Sequence, residues 1–142
     1  MDHQWGDFLV LGGGGWDWFA VSLDDEREVT ISVIRDDRGQ TIVQYGTLVT
    51  AAGEARHLPA ASFALAAMGT WRSERTGITF PSGWRLTVPG ESLDLALVPV
   101  LLDQELDTRA STGVIYWEGA VDVRASSGVP TGKGYVELTG YK

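Results

Sequence analysis

Apolar and polar residues alternate along most of the chain, with a period of two. Over 16–23, Trp16, Trp18 and Ala20 fall on one face and Asp17, Phe19, Val21 and Leu23 on the other, the signature of a half-buried strand. Over 29–35, Val29, Ile31 and Val33 oppose Thr30, Ser32 and Ile34. A polar turn at Asp24-Asp25-Glu26 separates these two runs, and Asp36-Asp37-Arg38-Gly39 closes a hairpin onto a third strand over 41–49. Further strands are expected over 84–88, 93–100, 114–124 and 134–141. Turns at Pro81-Ser82-Gly83, Pro89-Gly90-Glu91-Ser92 and Ser126-Ser127-Gly128 delimit them. The segment 59–68 is alanine-rich and suits a helix by propensity, yet Phe63, Leu65 and Ala67 alternate with Ser62, Ala64 and Ala66. A strand is the favoured reading there, with a helical turn at its start as the alternative. Residues 51–54 and 101–111 read as loops.

Eight strands joined by short connections, with no βαβ spacing, predict an all-β fold. An antiparallel up-and-down barrel of the lipocalin-like (calycin) kind removes exposed edges by closing on itself. Eight strands enclose just enough space for side chains or one small ligand. A two-sheet sandwich satisfies the same alternation. Residues 1–15 are read as an N-terminal arm ending in a glycine hinge, Gly12 to Gly15, and residues 16–142 as the barrel.

At 142 residues, one domain accounts for the whole length. A formal net charge of −8, with no basic stripe among the aromatics, argues against nucleic acid and against anionic membrane surfaces. The longest apolar run, 95–102, holds a proline and is too short to span a bilayer as a helix. Without cysteine and with only two histidines, no thiolate or histidine-rich metal site is expected, and no cofactor. No leader pattern opens the chain, which places it in the cytoplasm if it is full-length. Six tryptophans supply flat apolar surface for a core or a ligand.

Candidate chemistry gathers at the front. Asp2-His3-Gln4-Trp5 sets an imidazole and an indole two residues apart, and an aspartate beside a histidine can fix its tautomer for acid–base work. Asp17 shares a face with Phe19 and Val21, so burial would favour its protonated form, a proton donor. A structural reading pairs Asp17 with an arginine such as Arg35 or Arg85. The four glycines lack the lysine and helix of a phosphate loop. A second cluster joins Tyr116 and Glu118 on one strand face to Tyr135, Glu137, Thr139 and Tyr141 on another. A solvated outer face is the favoured reading of it, because Ile115, Trp117, Val121 and Val123 make the better core. Asp103, Glu105 and Asp107 have calcium-loop spacing without its glycine and terminal glutamate.

Ordered blocks along the chain resemble the lipocalin-like family of hydroxyneurosporene synthase (carotenoid hydratase) and the AttH proteins. The blocks are residues 1–6, Gly15-Trp16-Asp17-Trp18-Phe19, Gly69-Thr70-Trp71, Pro81-Ser82-Gly83-Trp84, Asp103-Gln104-Glu105-Leu106, residues 116–120 and residues 134–141. The resemblance implies two barrels in tandem, of which this chain corresponds to the second. It ties His3 and Trp5 to activity and leaves Asp17 and Asp36 as candidates for a hydratase's proton donor. It implies either addition of water to a carbon–carbon double bond or cyclisation of a polyene. Three functions follow as expectations. The barrel binds an apolar small molecule (isoprenoid, polyene or lipid-like) through Trp5, Trp16, Trp18, Tyr116, Trp117 and Glu118. It is a cofactor-independent hydratase or cyclase using His3 and Asp17. Or it is a structural barrel that pairs with a second copy or with an N-terminal lipocalin-like domain.

Overall fold

The computed structural model describes residues 14–142, which form ten antiparallel strands. In chain order they are β1 (Gly15–Leu23), β2 (Glu28–Arg35), β3 (Thr41–Val49), β4 (Ala55–Pro59), β5 (Ala64–Arg72), β6 (Thr79–Val88), β7 (Leu93–Pro99), β8 (Glu105–Asp107), β9 (Ile115–Ala125) and β10 (Thr131–Thr139). The strand order is β4-β3-β2-β1-β10-β9-β7-β6-β5. Strand β8 continues the line of β7 along the same edge of β9. Ten strands replace the eight expected because β8 lies in a segment read as loop and β4 lies between the loop 51–54 and the alanine-rich segment, where no strand is expected. Each is short and mostly exposed, and forms by pairing with β3 or β9 rather than by its own apolar pattern.

The sheet curls into a lipocalin-like barrel. Phe19 on β1 and Trp84 on β6 are four strand positions apart, about 19 Å in a flat sheet. Their ring centroids are 5.5 Å apart. Inward residues from every long strand except β5 merge into one core, with Phe19, Ile31, Leu48, Phe80, Trp84, Leu86, Leu95, Leu97, Trp117 and Leu138 almost wholly buried. Trp84 and Trp117 pack against each other at 5.6 Å in its middle. The interior is therefore filled over most of its length.

The two ends of the sheet, β4 and β5, are joined in sequence by a 3-10 turn at Ala60–Ser62 but share no ladder. The ambiguous alanine-rich segment thus contains both a helical turn and a strand. Strand β4 pairs only with residues 45–49 of β3, so residues 41–44 face β5 across an open seam. The expected turn at Pro81-Ser82-Gly83 lies instead inside β6, bent at Gly83 with φ 72°. There β6 pairs with β5 alone, since its ladder with β7 begins at Trp84. A residue without an N–H is tolerated at such a local edge.

Close approach of the paired strands β1 and β10 demands small residues on β10. A methyl group at Gly134 would lie 2.7 Å from the Ala20 carbonyl oxygen and 2.9 Å from Val121 Cγ2. Gly134→Val is expected to lower unfolding stability by about 1–3 kcal/mol, the usual cost of overpacking. Urea denaturation followed by tryptophan fluorescence measures it.

Candidate functional site

One end of the barrel gathers the start of β1, the end of β2 and the end of β10, and three polar side chains meet there. Alternation along β1 turns Asp17 inward, as its sequence neighbours implied. Arg35, the last residue of β2, donates from Nη2 to Asp17 Oδ1 at 2.9 Å and to the Thr139 carbonyl at 2.6 Å. Tyr141 donates its hydroxyl to Asp17, at 2.9 Å from Oδ2 and 3.1 Å from Oδ1. Its ring lies between the Arg35 guanidinium, 4.1 Å from the ring centroid, and Phe80, 5.7 Å centroid to centroid. Arg85, the other arginine considered for Asp17, pairs with Asp94 instead.

Tyr141 corrects the sequence reading. Strict alternation put it on the outer face with Tyr135, Glu137 and Thr139. Strand β10 ends at Thr139, and Gly140 turns the chain with φ 73°. A side chain at Gly140 would also press on the Gly14 carbonyl and the Gly15 Cα, each 2.7 Å away. Glycine is thus needed twice over, and it sends Tyr141 against the core.

Burial pushes the Asp17 carboxyl above its ordinary value, outweighing the opposing pull of Arg35 and Tyr141. Burial, and then the facing carboxylate, push the Tyr141 phenol up as well. Arg35 Nε is buried without a hydrogen-bond partner among the described residues. The group opens on a cleft of about 190 Å³ in the seam between the sheet ends. Phe19, Val33, Leu65, Trp84 and Pro81 give its apolar wall, and Thr41 and Gln44 its polar rim. The cleft holds an acid–base group beside apolar carbon surface.

The other residues singled out from the sequence sit elsewhere. Trp16, Trp18, Tyr116 and Glu118 are half-buried on the outer face and do not line the cleft. Trp117 is wholly buried in the core. Asp36 caps the β2–β3 turn by accepting from the amides of Arg38 and Gln40. His3 and Trp5 lie outside the described residues. Asp103 and Asp107 pair with Arg75 and Arg109, and Glu105 accepts from the Thr76 hydroxyl at 2.7 Å. Among the described residues, no group of three His, Cys, Asp or Glu side chains is placed to hold a metal. The cleft's walls from β5 and β6 carried no sequence signal, because they depend on where the seam falls.

Residues 1–141 match the AttH-like family. Among solved structures, an AttH-assigned protein of Nitrosomonas europaea superposes with a TM-score of 0.84 at 36% identity, over 96% of this chain and 42% of its own. Kievitone hydratase of Nectria haematococca superposes with a TM-score of 0.72 at 23% identity, over the same shares of the two chains. That second likeness is one of fold. This chain spans less than half the length of either structure. No curated protein matches it in sequence.

Proposed function

The chain belongs to the AttH-like family, and on that premise we propose that it binds an apolar small molecule in the seam cleft and acts on it by acid–base chemistry at Asp17. The observation that carries this reading is the placement of a buried carboxyl, held by Arg35 and Tyr141, against Phe19 and Trp84. The reaction it suits is hydration of a carbon–carbon double bond. Protonated Asp17 gives its proton to one alkene carbon, and the π pair forms the new C–H bond. The cation left on the other carbon is stabilised by nearby aromatic faces. Water adds to that carbon and returns a proton to the carboxylate, so the acid is regenerated. The hydratase among the structural neighbours supports this choice of reaction, and kievitone is a sensible first substrate. His3, tied to activity by the family resemblance, is the second residue whose removal should lower turnover.

A ligand site usually offers about 300–1,000 Å³. The smaller volume here suits one end of a molecule, such as a branched alkene terminus, with the remainder outside. The filled interior also favours a second reading, a structural barrel without a ligand. Titration separates the two. A branched-chain terpenoid alcohol and a fluorescent fatty acid should each give saturable quenching of tryptophan fluorescence. Ala67→Phe, which fills the cleft from β5, should weaken that binding about tenfold or more, as loss of a small apolar pocket implies. Absence of saturation with every ligand would leave the structural reading.

A further inference from the structure

The Glu105 carboxylate is wholly buried, although the chemistry at Asp17 makes no use of it. A buried carboxylate is costly unless it is paired and hydrogen-bonded, so its place in the fold calls for a reason. Glu105 stands on β8 opposite Trp117 of β9, and both side chains are buried. The strap before it is pinned to β9. Gln104 binds the Ala120 amide and carbonyl through its side chain, at 2.9 and 3.1 Å, and its own carbonyl accepts from the Glu118 amide. The tip of the β5–β6 hairpin reaches over to this fixed point. Thr76 donates its hydroxyl to Glu105 Oε2 at 2.7 Å. Arg75 Nη2 donates to the Glu105 carbonyl at 2.8 Å and to Asp103 Oδ1 at 3.0 Å. Arg75 Nε lies 3.6 Å from Glu105 Oε1, which has no hydrogen-bond partner among the described residues. Ser73, itself buried, shapes the tip by accepting from the amides of Arg75 and Thr76.

This hairpin needs an anchor. Residues 69–72 and 79–82 pair with each other and, among the described residues, with no other strand. A two-stranded ribbon on its own is marginally stable. The ribbon also carries a ring stack that ends at the acid group. Trp71 lies on Phe80 at 6.2 Å and 21°, and Phe80 meets Tyr141 at 5.7 Å. Tyr141 lies beyond the last ladder pair of β10, Thr139 with Tyr116, so its place depends on what its ring packs against. We propose that Glu105 is a positioning residue for the acid group: it holds the hairpin down at the barrel end, and the hairpin, through Trp71 and Phe80, keeps the Tyr141 hydroxyl on Asp17. The importance of that hydroxyl rests on the acid role proposed for Asp17, whereas the mechanical link from Glu105 to Tyr141 stands apart from it. Asp17 and Glu105 share one cross-strand row with Leu138 and Trp117 between them, so no hydrogen bond joins the two carboxylates directly.

The test follows Tyr141 itself by fluorine NMR. The chain is made with fluorotyrosine, and Tyr141→Phe identifies the Tyr141 resonance by subtraction. In Glu105→Leu that resonance should lose most of its displacement from free fluorotyrosine. The resonances of Tyr45 and Tyr135, both exposed, should stay in place. Glu105→Gln keeps an acceptor for the Thr76 hydroxyl and should hold the Tyr141 resonance near its normal position. Gly134→Val strains the barrel away from the hairpin, so it should leave that resonance unmoved and separate positioning from a general loss of stability. An unmoved Tyr141 resonance in Glu105→Leu overturns the proposal, as does an equal displacement in Gly134→Val. If Glu105→Leu does not fold, Arg75→Met with Thr76→Val releases the same contact from the hairpin side and is read in the same way. Turnover is measured separately on the wild-type chain. A displaced resonance in Glu105→Leu with no hydratase activity in the wild type would remove the acid reading of Asp17 and leave the link from Glu105 to Tyr141. An active wild type with an unmoved resonance would remove Glu105 and leave Asp17.

Discussion

Trp117→Ala is expected to lower unfolding stability by about 3–5 kcal/mol, the range for emptying a large aromatic site in a packed core. The side chain is wholly buried, and its ring meets Trp84 at 5.6 Å. No neighbouring backbone can close the void, because β9 is laddered on both sides, to β10 and to β7 and β8. The indole Nε1 also donates to the Leu102 carbonyl at 2.8 Å, fastening the strap between β7 and β8. Trp117→Phe separates the two effects. It keeps most of the volume and loses the hydrogen bond, for which about 1 kcal/mol is typical. Urea denaturation of both variants checks the split, and a loss under about 2 kcal/mol for alanine would mean the core collapses into the space. Hydrogen exchange at the amides of Glu118 and Val100 should quicken in both variants. Those amides bond to Gln104 and Ala120 around the same strap.

Trp117 also marks what alternation can reveal. Its burial followed from the pattern of Ile115, Val121 and Val123, and so did the inward turn of Asp17 beside Phe19 and Val21. Arg35 was legible as a partner because a hairpin of fixed register brings the end of β2 beside the start of β1. Other parts depended on long-range geometry. Residues 55–59 and 105–107 become strands only because β3 and β9 present free edges to them. Pro81 and Gly83 look like a turn locally, yet they lie where β6 has one neighbour and can bend. Tyr141 was assigned to the wrong face because one positive φ at Gly140 breaks the period of two. Trp16 and Trp18 illustrate a further limit, since alternation says that they share a face without saying which face is the inside. Only the closure of the barrel decides that, and it places Phe19 rather than its tryptophan neighbours in the core.

Asp17→Asn is expected to lower kcat/KM for hydration by about 10²–10⁴-fold, the range for removing a positioned general acid. Asparagine keeps the shape and still accepts hydrogen bonds from Arg35 and Tyr141, so the cleft should bind ligand with little change. The loss should therefore fall on kcat rather than on affinity, which fluorescence titration of the same variant checks. Equal loss of both would mean that Asp17 only shapes the cleft. The pH profile gives an independent readout. Donation requires the protonated carboxyl, so this contribution is complete at low pH and is lost as pH rises through the Asp17 pKa. Burial has moved that pKa above the ordinary carboxylate value, so the descending limb should lie above it too. Arg35 and Tyr141 both oppose that shift. Arg35→Met and Tyr141→Phe should each carry the limb to still higher pH, and Arg35→Met further, because it removes a charge as well as a hydrogen bond. Folding should follow the same sign. With Arg35 gone, a carboxylate is left buried without its counter-charge, at a typical cost of about 3–5 kcal/mol at neutral pH. Because the folded state then holds the proton more tightly than the unfolded chain, part of that loss should be recovered as pH falls through the raised Asp17 value. A limb that stays in place in both variants would assign the proton to another group, with His3→Ala as the next variant to measure.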